Sequence, residues 1–283
     1  MEKAMARQDE FPDAAATAQE DRYECDPGWQ EALKLAGLDS LAGVFRFSRS
    51  SAMRDVPERL TVRLKLERES GPVTAYLKRH WHPRRLPFLP QKAHGEARRE
   101  WDNTRELAAA GLGVPRPLGC GWGRLGSFAA GWYLCAAVPG EPADDFLKRE
   151  FPHQQRRSGR YLGFLQALAS QASQFHCGGY SHQDFYLCHH FVAESSPGSY
   201  QFSLIDLQRV HRWPRWLQHR WIVKDLAQLA YSCPPSVSRS DMMAFFLLWK
   251  GSKTLEAGDR RLLRGIIRKV AILRRREAEG KVR

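Results

Sequence analysis

Alternating apolar runs in the first half of the chain and helical periodicity in the second predict an α+β protein of two lobes. A strand-rich N-terminal lobe and a helical C-terminal lobe would meet at a proline-glycine break. The strand signal is clearest in Leu60–Glu67, where Leu60, Val62, Leu64 and Leu66 alternate with polar residues, and it recurs in Val73–Arg79 and Trp132–Val138. The break is Pro139-Gly140-Glu141-Pro142. Beyond it, residues 158–176 place Leu162, Leu165, Leu168, Ala169, Ala172 and Phe175 at helical spacing on one face.

Taken in order, residues 1–24 carry seven acids against three bases, with only Phe11 and Tyr23 as aromatics, and read as a poorly ordered acidic tail. The N-terminal lobe is expected over 25–138. It begins with a short helix, Trp29–Leu35, stopped at Gly37, followed by strands at Gly43–Phe47, Leu60–Glu67 and Val73–Arg79. A basic loop with prolines, Arg79–Gln91, leads into a helix over Gly95–Ala110, which Gly111 and Gly113 end, and short glycine-rich strands follow. The C-terminal lobe is expected over 139–283, with short strands at Phe191–Ala193 and Gln201–Ile205 and helices from about residue 215 to a basic C-terminal helix.

Composition excludes several classes. Apolar content of 43% and charged content of 27% suit a folded globular chain. No run approaches the ~18 apolar residues of a membrane-spanning helix. Glu2, Asp9, Glu10 and Asp13 interrupt any secretory signal, so a soluble, uncleaved chain is expected. Cys25, Cys120, Cys135, Cys177, Cys188 and Cys233 form no C-x-x-C pair, which disfavours a zinc framework or a disulfide scaffold and suits reduced thiols in the cytoplasm. The net charge of +13 points to anionic partners. No nucleic-acid-binding module accompanies that charge, so no nucleic acid is expected.

The most informative stretch is His182-Gln183-Asp184-Phe185-Tyr186-Leu187-Cys188-His189, a loop that follows a helix and a Gly-Gly turn. The strand ending at Ile205 then delivers Asp206-Leu207-Gln208-Arg209. Two carboxylates offered by a loop and a strand end suit phosphoryl transfer, one orienting a hydroxyl and the other holding Mg²⁺. That chemistry asks for a strand Lys and a helical Glu. Lys78 ends a strand, and Glu100 lies 22 residues on in the next helix, with Glu96 one turn earlier on the same face as an alternative.

These strings, with Arg99-Glu100-Trp101 and Trp221-Ile222-Val223-Lys224-Asp225-Leu226-Ala227, resemble the lipopolysaccharide core kinases of the WaaP/InaA type, over roughly residues 60–235. The resemblance implies a protein-kinase-like two-lobe fold with the active site between the lobes. It implies an ATP-dependent enzyme that phosphorylates a heptose or Kdo hydroxyl of the lipopolysaccharide inner core at the cytoplasmic face of the inner membrane. Carried over residue by residue, Asp184 is the catalytic Asp, Asp206 and His189 are Mg²⁺ ligands, Lys78 contacts the ATP phosphates and Glu100 pairs with it. His190, next to His189, remains an alternative ligand. Asp225 matches the helix Asp that braces the catalytic loop through backbone N–H groups.

Two departures stand out. Gln183 replaces the Arg of H-R-D, which argues against phospho-activation through that Arg. No G-x-G-x-x-G precedes Lys78, and Ser48–Arg54, where it would lie, contains no Gly. Beside the leading reading stand a protein kinase and a catalytically inactive kinase-like module that binds an anionic partner. The short Asp206-to-Asp225 interval opposes the first, and retention of Lys78, Glu100, Asp184 and Asp206 opposes the second. Lys92, Arg209, Arg212 and Arg215 are candidates to gather an anionic acceptor. The tryptophans among the bases of 209–224 suit a sugar-phosphate acceptor, a membrane interface or burial. Residues 259–283, ten bases against three acids with an apolar face, suit docking on the lobe, contact with the anionic inner membrane or an acidic protein partner.

Overall fold

A computed structural model describes residues 18–48, 52–56, 58–84, 91–151 and 158–280. In chain order the elements are β1 (Ala18–Cys25), a 3₁₀ turn (Pro27–Trp29), α1 (Gln30–Leu35), α2 (Leu41–Arg46), β2 (Ala52–Val56), β3 (Arg59–Leu66), β4 (Val73–Pro83), α3 (Lys92–Ala109), β5 (Pro117–Leu125) and β6 (Phe128–Ala136). Then come β7 (Glu141–Pro142), α4 (Ala143–Glu150), α5 (Gly159–Cys177), β8 (Tyr180–Ser181), β9 (His190–Ser196), β10 (Ser199–Leu204), β11 (His211–Arg212), α6 (Arg215–Ser232), α7 (Arg239–Lys250) and α8 (Ala257–Ala278).

The described chain divides into two compact units. One holds the residues up to Glu106 together with Pro115–Ala137, the other Leu107–Val114 together with the residues from Val138. The expected division at 138/139 therefore differs by an eight-residue segment. Leu107 and Leu112 are buried in the second unit's core, and the Gly113 carbonyl accepts from Leu204 N at 2.9 Å.

The first unit is built on a six-stranded antiparallel sheet in the order β1-β5-β6-β4-β3-β2. Leu60, Val62, Leu64 and Leu66 of β3 are all buried, as their alternation requires. Of the tail expected over 1–24, residues 1–17 lie outside the described residues and residues 18–24 are strand. They pair with β5, Tyr23 packs against Trp132, Asp21 accepts from Leu41 N, and Glu24 pairs with Arg98. An edge strand with one charged face carries no compositional mark, which is why the acidic count pointed elsewhere. Gly43–Phe47 is likewise helix rather than strand. The Ser40 hydroxyl caps the helix by accepting from Gly43 N, and Leu41, Val44 and Phe45 fall at i, i+3 and i+4 on the buried side. Part of the Ser48–Arg54 stretch and of the Arg79–Gln91 loop lies outside the described residues.

The second unit packs α4 and α5 against the three-stranded sheet β10-β9-β7 around Phe146, Phe151, Tyr161, Phe164, Tyr200 and Phe202. Leu162, expected on the buried face of α5, is 49% exposed, and Tyr161 and Phe164 are buried instead. The apolar face of α8 packs on α6 through Ile266 against Leu226 and Ala227. That settles docking of the basic helix on its own unit, with Arg260, Arg261, Arg264 and Arg268 exposed.

Gly113 sits where the segment 107–114 crosses β10. A Cβ there would stand 2.1 Å from the Phe202 carbonyl oxygen, a backbone atom that cannot turn aside. Gly113→Ala is expected to lower the thermal midpoint by roughly 4–12 °C, from about 2–3 kcal/mol of overpacking. Calorimetry against wild type checks it.

Candidate active site

In the first unit, β4 carries Lys78 in register with Thr61 of β3 and Tyr133 of β6. Its Nζ donates to Glu100 Oε1 of α3 at 2.5 Å, with the two side chains 13% and 2% exposed. The pair is fastened from behind. Thr104 Oγ1 donates to the Glu100 carbonyl at 2.6 Å and lies 3.0 Å from the Tyr133 hydroxyl, tying α3 to β6. Glu96, the alternative partner, is engaged elsewhere. It meets His80 Nδ1 at 3.1 Å, His82 Nε2 at 3.3 Å and Lys92 Nζ at 3.9 Å.

That neighbouring cluster has its own electrostatics. Burial would raise the Glu96 carboxyl, but hydrogen bonds from His80 and His82 outweigh it and hold the group far below the usual carboxylate range. Burial pushes the His80 imidazole below its ordinary value, against the pull of Glu96 and Glu100 and with the push of Arg59.

In the second unit, the loop after β8 is held by one face of α6. Asp225 accepts from His182 N at 2.8 Å and from Gln183 N at 3.0 Å. One turn on, Gln228 Oε1 accepts from Phe185 N at 3.1 Å and its Nε2 donates to the Gln183 carbonyl at 2.9 Å. Ser232 Oγ accepts from Leu187 N at 2.9 Å. Residues 225, 228 and 232 thus form a polar ladder on a helix that otherwise packs, and they satisfy nearly every other backbone group of the loop. Of these, sequence reasoning found Asp225 and missed Gln228 and Ser232. The available signal was their i, i+3, i+7 spacing.

The held loop presents Asp184, 25% exposed, whose two carboxylate oxygens accept from Arg209 Nη1 at 3.1 and 2.8 Å. His189 Nδ1 donates to the Asp184 carbonyl at 2.7 Å, so Nε2 is the acceptor nitrogen of the neutral ring; against burial, Cys188, the Asp184 carbonyl and Asp206 raise the imidazole above its ordinary value. His190 turns the other way. It is fully buried, donates from Nδ1 to Gln171 Oε1 at 3.1 Å and lies edge-on to Phe185, and burial holds it neutral. His182 is also buried and neutral, and its Nε2 donates to the Ile205 carbonyl at 2.9 Å, joining the loop to the residue before Asp206. Asp206 itself stands at φ 61, a left-handed conformation uncommon outside glycine, as does Gln183 at φ 69.

The other bases singled out from sequence are placed as follows. Arg212 Nε donates to the Gly178 carbonyl, and its guanidinium lies over Tyr180. Arg215 opens α6 in solvent. Lys92 is in the first unit with Glu96. Trp213 and Trp221 stack at 4.7 Å, while Trp216 is exposed.

Among the described residues no group of three or more His, Cys, Asp or Glu side chains is placed to hold a metal ion alone. An Asp and a His suit a cation that arrives already carrying phosphate and water ligands, as Mg²⁺ does with a nucleotide.

Residues 50–248 match the Lipopolysaccharide kinase (Kdo/WaaP) family, which is most of the chain. The chain belongs to that family. It is therefore a phosphotransferase acting on sugar hydroxyls of the lipopolysaccharide core. Among solved structures, the fold is similar to that of WaaP in complex with acyl carrier protein, at TM-score 0.64 and 20% identity, covering 89% of this chain and 99% of that one. A crystal structure of WbdD matches at TM-score 0.41 and 15% identity, covering 77% of this chain and 50% of that one. Among curated proteins no relative matches. The protein-kinase-like α+β fold of this lipopolysaccharide kinase family member is thus established.

Two outcomes are expected. Gln228→Leu leaves the Phe185 N–H and the Gln183 C=O without partners, at about 1–3 kcal/mol each. The thermal midpoint should fall by several degrees and kcat by roughly a hundredfold as Asp184 shifts, both measured on the same preparation. In the first unit, stability carried by Glu96 is complete above the unfolded carboxyl value of about 4.3 and lost as pH falls through the lowered folded value. Loss from His80 starts earlier, because below about pH 6.5 the unfolded imidazole binds a proton that the folded one refuses. The melting temperature should therefore drop between about pH 7.5 and 5, and drop less in His80→Gln.

Proposed function

We propose that this lipopolysaccharide core kinase uses ATP with Mg²⁺, with Asp184 as the catalytic carboxylate, Lys78 on the nucleotide phosphates, Glu100 holding Lys78, and Asp206 with His189 Nε2 as the residues that would hold the metal. The observation that carries the reading is the Lys78–Glu100 pair. An ion pair so little exposed costs several kcal/mol in desolvation, and hydrophobic residues of the same volume would give the fold equal or greater stability. Its retention is explained by use.

In this reading Asp184 accepts a hydrogen bond from the acceptor hydroxyl, orients the oxygen towards the γ-phosphorus and takes the proton as the new P–O bond forms and the β–γ bridging oxygen leaves with ADP. Lys78 neutralises phosphate charge, and Glu100 keeps its ammonium on station. A bound Mg²⁺ would add further charge neutralisation on the phosphates. His189 is poised for that role because its Nδ1–H is committed to the Asp184 carbonyl, so its free nitrogen is fixed in tautomer and direction.

The net charge of +13 and the exposed bases of α8 support contact with an anionic surface, either the cytoplasmic face of the inner membrane or an acidic protein. No helix among the described residues is long and apolar enough to cross a membrane. WaaP was solved with acyl carrier protein, which makes such a protein the first protein partner to assay.

Mass spectrometry of lipopolysaccharide core from cells carrying wild type, Asp184→Asn or Lys78→Met is the direct test. Core from both variants should lack one phosphate, and in vitro transfer from ATP should fall by about 10²–10⁴-fold for Asp184→Asn. Unchanged transfer in Asp184→Asn would remove that residue from the chemistry.

A further inference from the structure

Beside Asp184 the second unit gathers cations from three elements. Arg209 reaches Asp184 with Nη1 alone, and among the described residues its Nε and Nη2 make no hydrogen bond, so half of its fork stays open on a side chain that is 52% exposed. Lys224, on α6 next to the loop-bracing Asp225, is half-buried and makes no ion pair within 4 Å among the described residues. Its Nζ lies 5.5 Å from the centre of the Trp221 ring. Trp221 is in turn stacked on Trp213, which is pinned by an indole hydrogen bond to Ser181 Oγ at 2.8 Å. Lysine over a clamped indole is held in place at the expense of little further freedom.

Counting Lys224 itself, three cations meet two carboxylates here. Facing it are Arg209 and Lys269 on the positive side and Asp184 and Asp225 on the negative. Asp225 is committed to two backbone N–H groups and Asp184 to Arg209. Burial first, then the nearby cations, holds the Lys224 ammonium below the ordinary lysine range. Packing like charges together around a half-buried amine is unfavourable in isolation and favourable once an anion enters.

We propose that Arg209 and Lys224 form a subsite for an anionic substituent of the acceptor sugar, a carboxylate or a phosphate, next to the hydroxyl that Asp184 receives. The inference rests on the phosphotransfer reading above and adds to it which part of the acceptor is recognised. The open Nε–Nη2 edge of Arg209 matches a two-oxygen anion, and Lys224 supplies a point charge from the side. Because Arg209 is itself anchored on Asp184, the anion and the reacting hydroxyl are read by one rigid unit. An acceptor lacking the anion would bind loosely and leave its hydroxyl poorly oriented.

The test is calorimetric binding to the full chain of two matched pairs: a Kdo glycoside against its carboxyl methyl ester, and a phosphorylated heptose against its unphosphorylated parent. Wild type should prefer the charged member of at least one pair by roughly ten- to a hundredfold, the size of one or two charge-assisted contacts. The preferred pair distinguishes carboxylate from phosphate. Arg209→Gln and Lys224→Gln should each remove most of that preference while leaving ATP affinity and the melting temperature near wild type. Equal preference in wild type and variants, no preference in wild type, or weakened ATP binding with acceptor preference intact would each overturn the subsite. ATP turnover by wild type, measured alongside, separates these results from failure of the kinase reading: turnover without anion preference removes only the subsite, and absence of turnover removes the phosphotransfer reading as well.

Discussion

A carboxylate shut off from solvent has to be satisfied by what surrounds it, and Asp225 is satisfied by the N–H groups of His182 and Gln183. Gln183 adopts a left-handed conformation that costs a side chain about 1–3 kcal/mol. Hydrogen bonds to a charged acceptor contribute about 1.5–3 kcal/mol each, so the two to Asp225 outweigh the strain. The loop is thus bent by α6 rather than by its own sequence, and Asp184 is the next residue after the bend. His176 supports the arrangement from the far side. It accepts from Trp249 Nε1 at 3.1 Å, which places its proton on Nε2, 3.5 Å from Asp225 Oδ2.

This dependence explains why parts of the site were legible in the sequence and parts were not. Lys78, Glu100, Asp184 and Asp206 carry their chemistry in their side chains, and the spacing between them follows from the order of strand, helix, loop and strand. Gln228 and Ser232 carry none. Their role exists only because residues some 45 positions earlier lie against them, and a glutamine on a helix looks like any solvated glutamine until that contact is known. The choice of Glu100 over Glu96 had the same character. One helical turn separates them, and only the pairing of β4 with its neighbours shows that Lys78 faces one and His80 the other.

The fold shows a parallel division. Strand β3 and helix α5 announce themselves because one face is apolar at a fixed period. Strand β1 does not, since an edge strand needs only Tyr23 and Cys25 against the core while Glu24 and Asp21 are answered by Arg98 and the Leu41 N–H. Helix α2 misled for the opposite reason. Val44, Phe45 and Phe47 favour strand locally, but the Ser40 cap and the burial of Leu41, Val44 and Phe45 on one side decide for helix. Local preference yields where a cap and a packing surface agree.

Charge is where composition and structure speak to each other most closely. An excess of thirteen positive charges is a statement about partners, yet it does not say where the partner's anion sits. Among the described residues, several bases are spent on structure or solvent. Arg98 and Arg160 answer acids, Arg212 caps a carbonyl, and the α8 arginines face water. Arg209 differs because its carboxylate partner is Asp184, the residue proposed above to orient the acceptor hydroxyl, so the ion pair that steadies that carboxylate also fixes the direction of an unfilled guanidinium edge. A lysine at that position would hold Asp184 equally well as a point charge and would leave no second edge to offer.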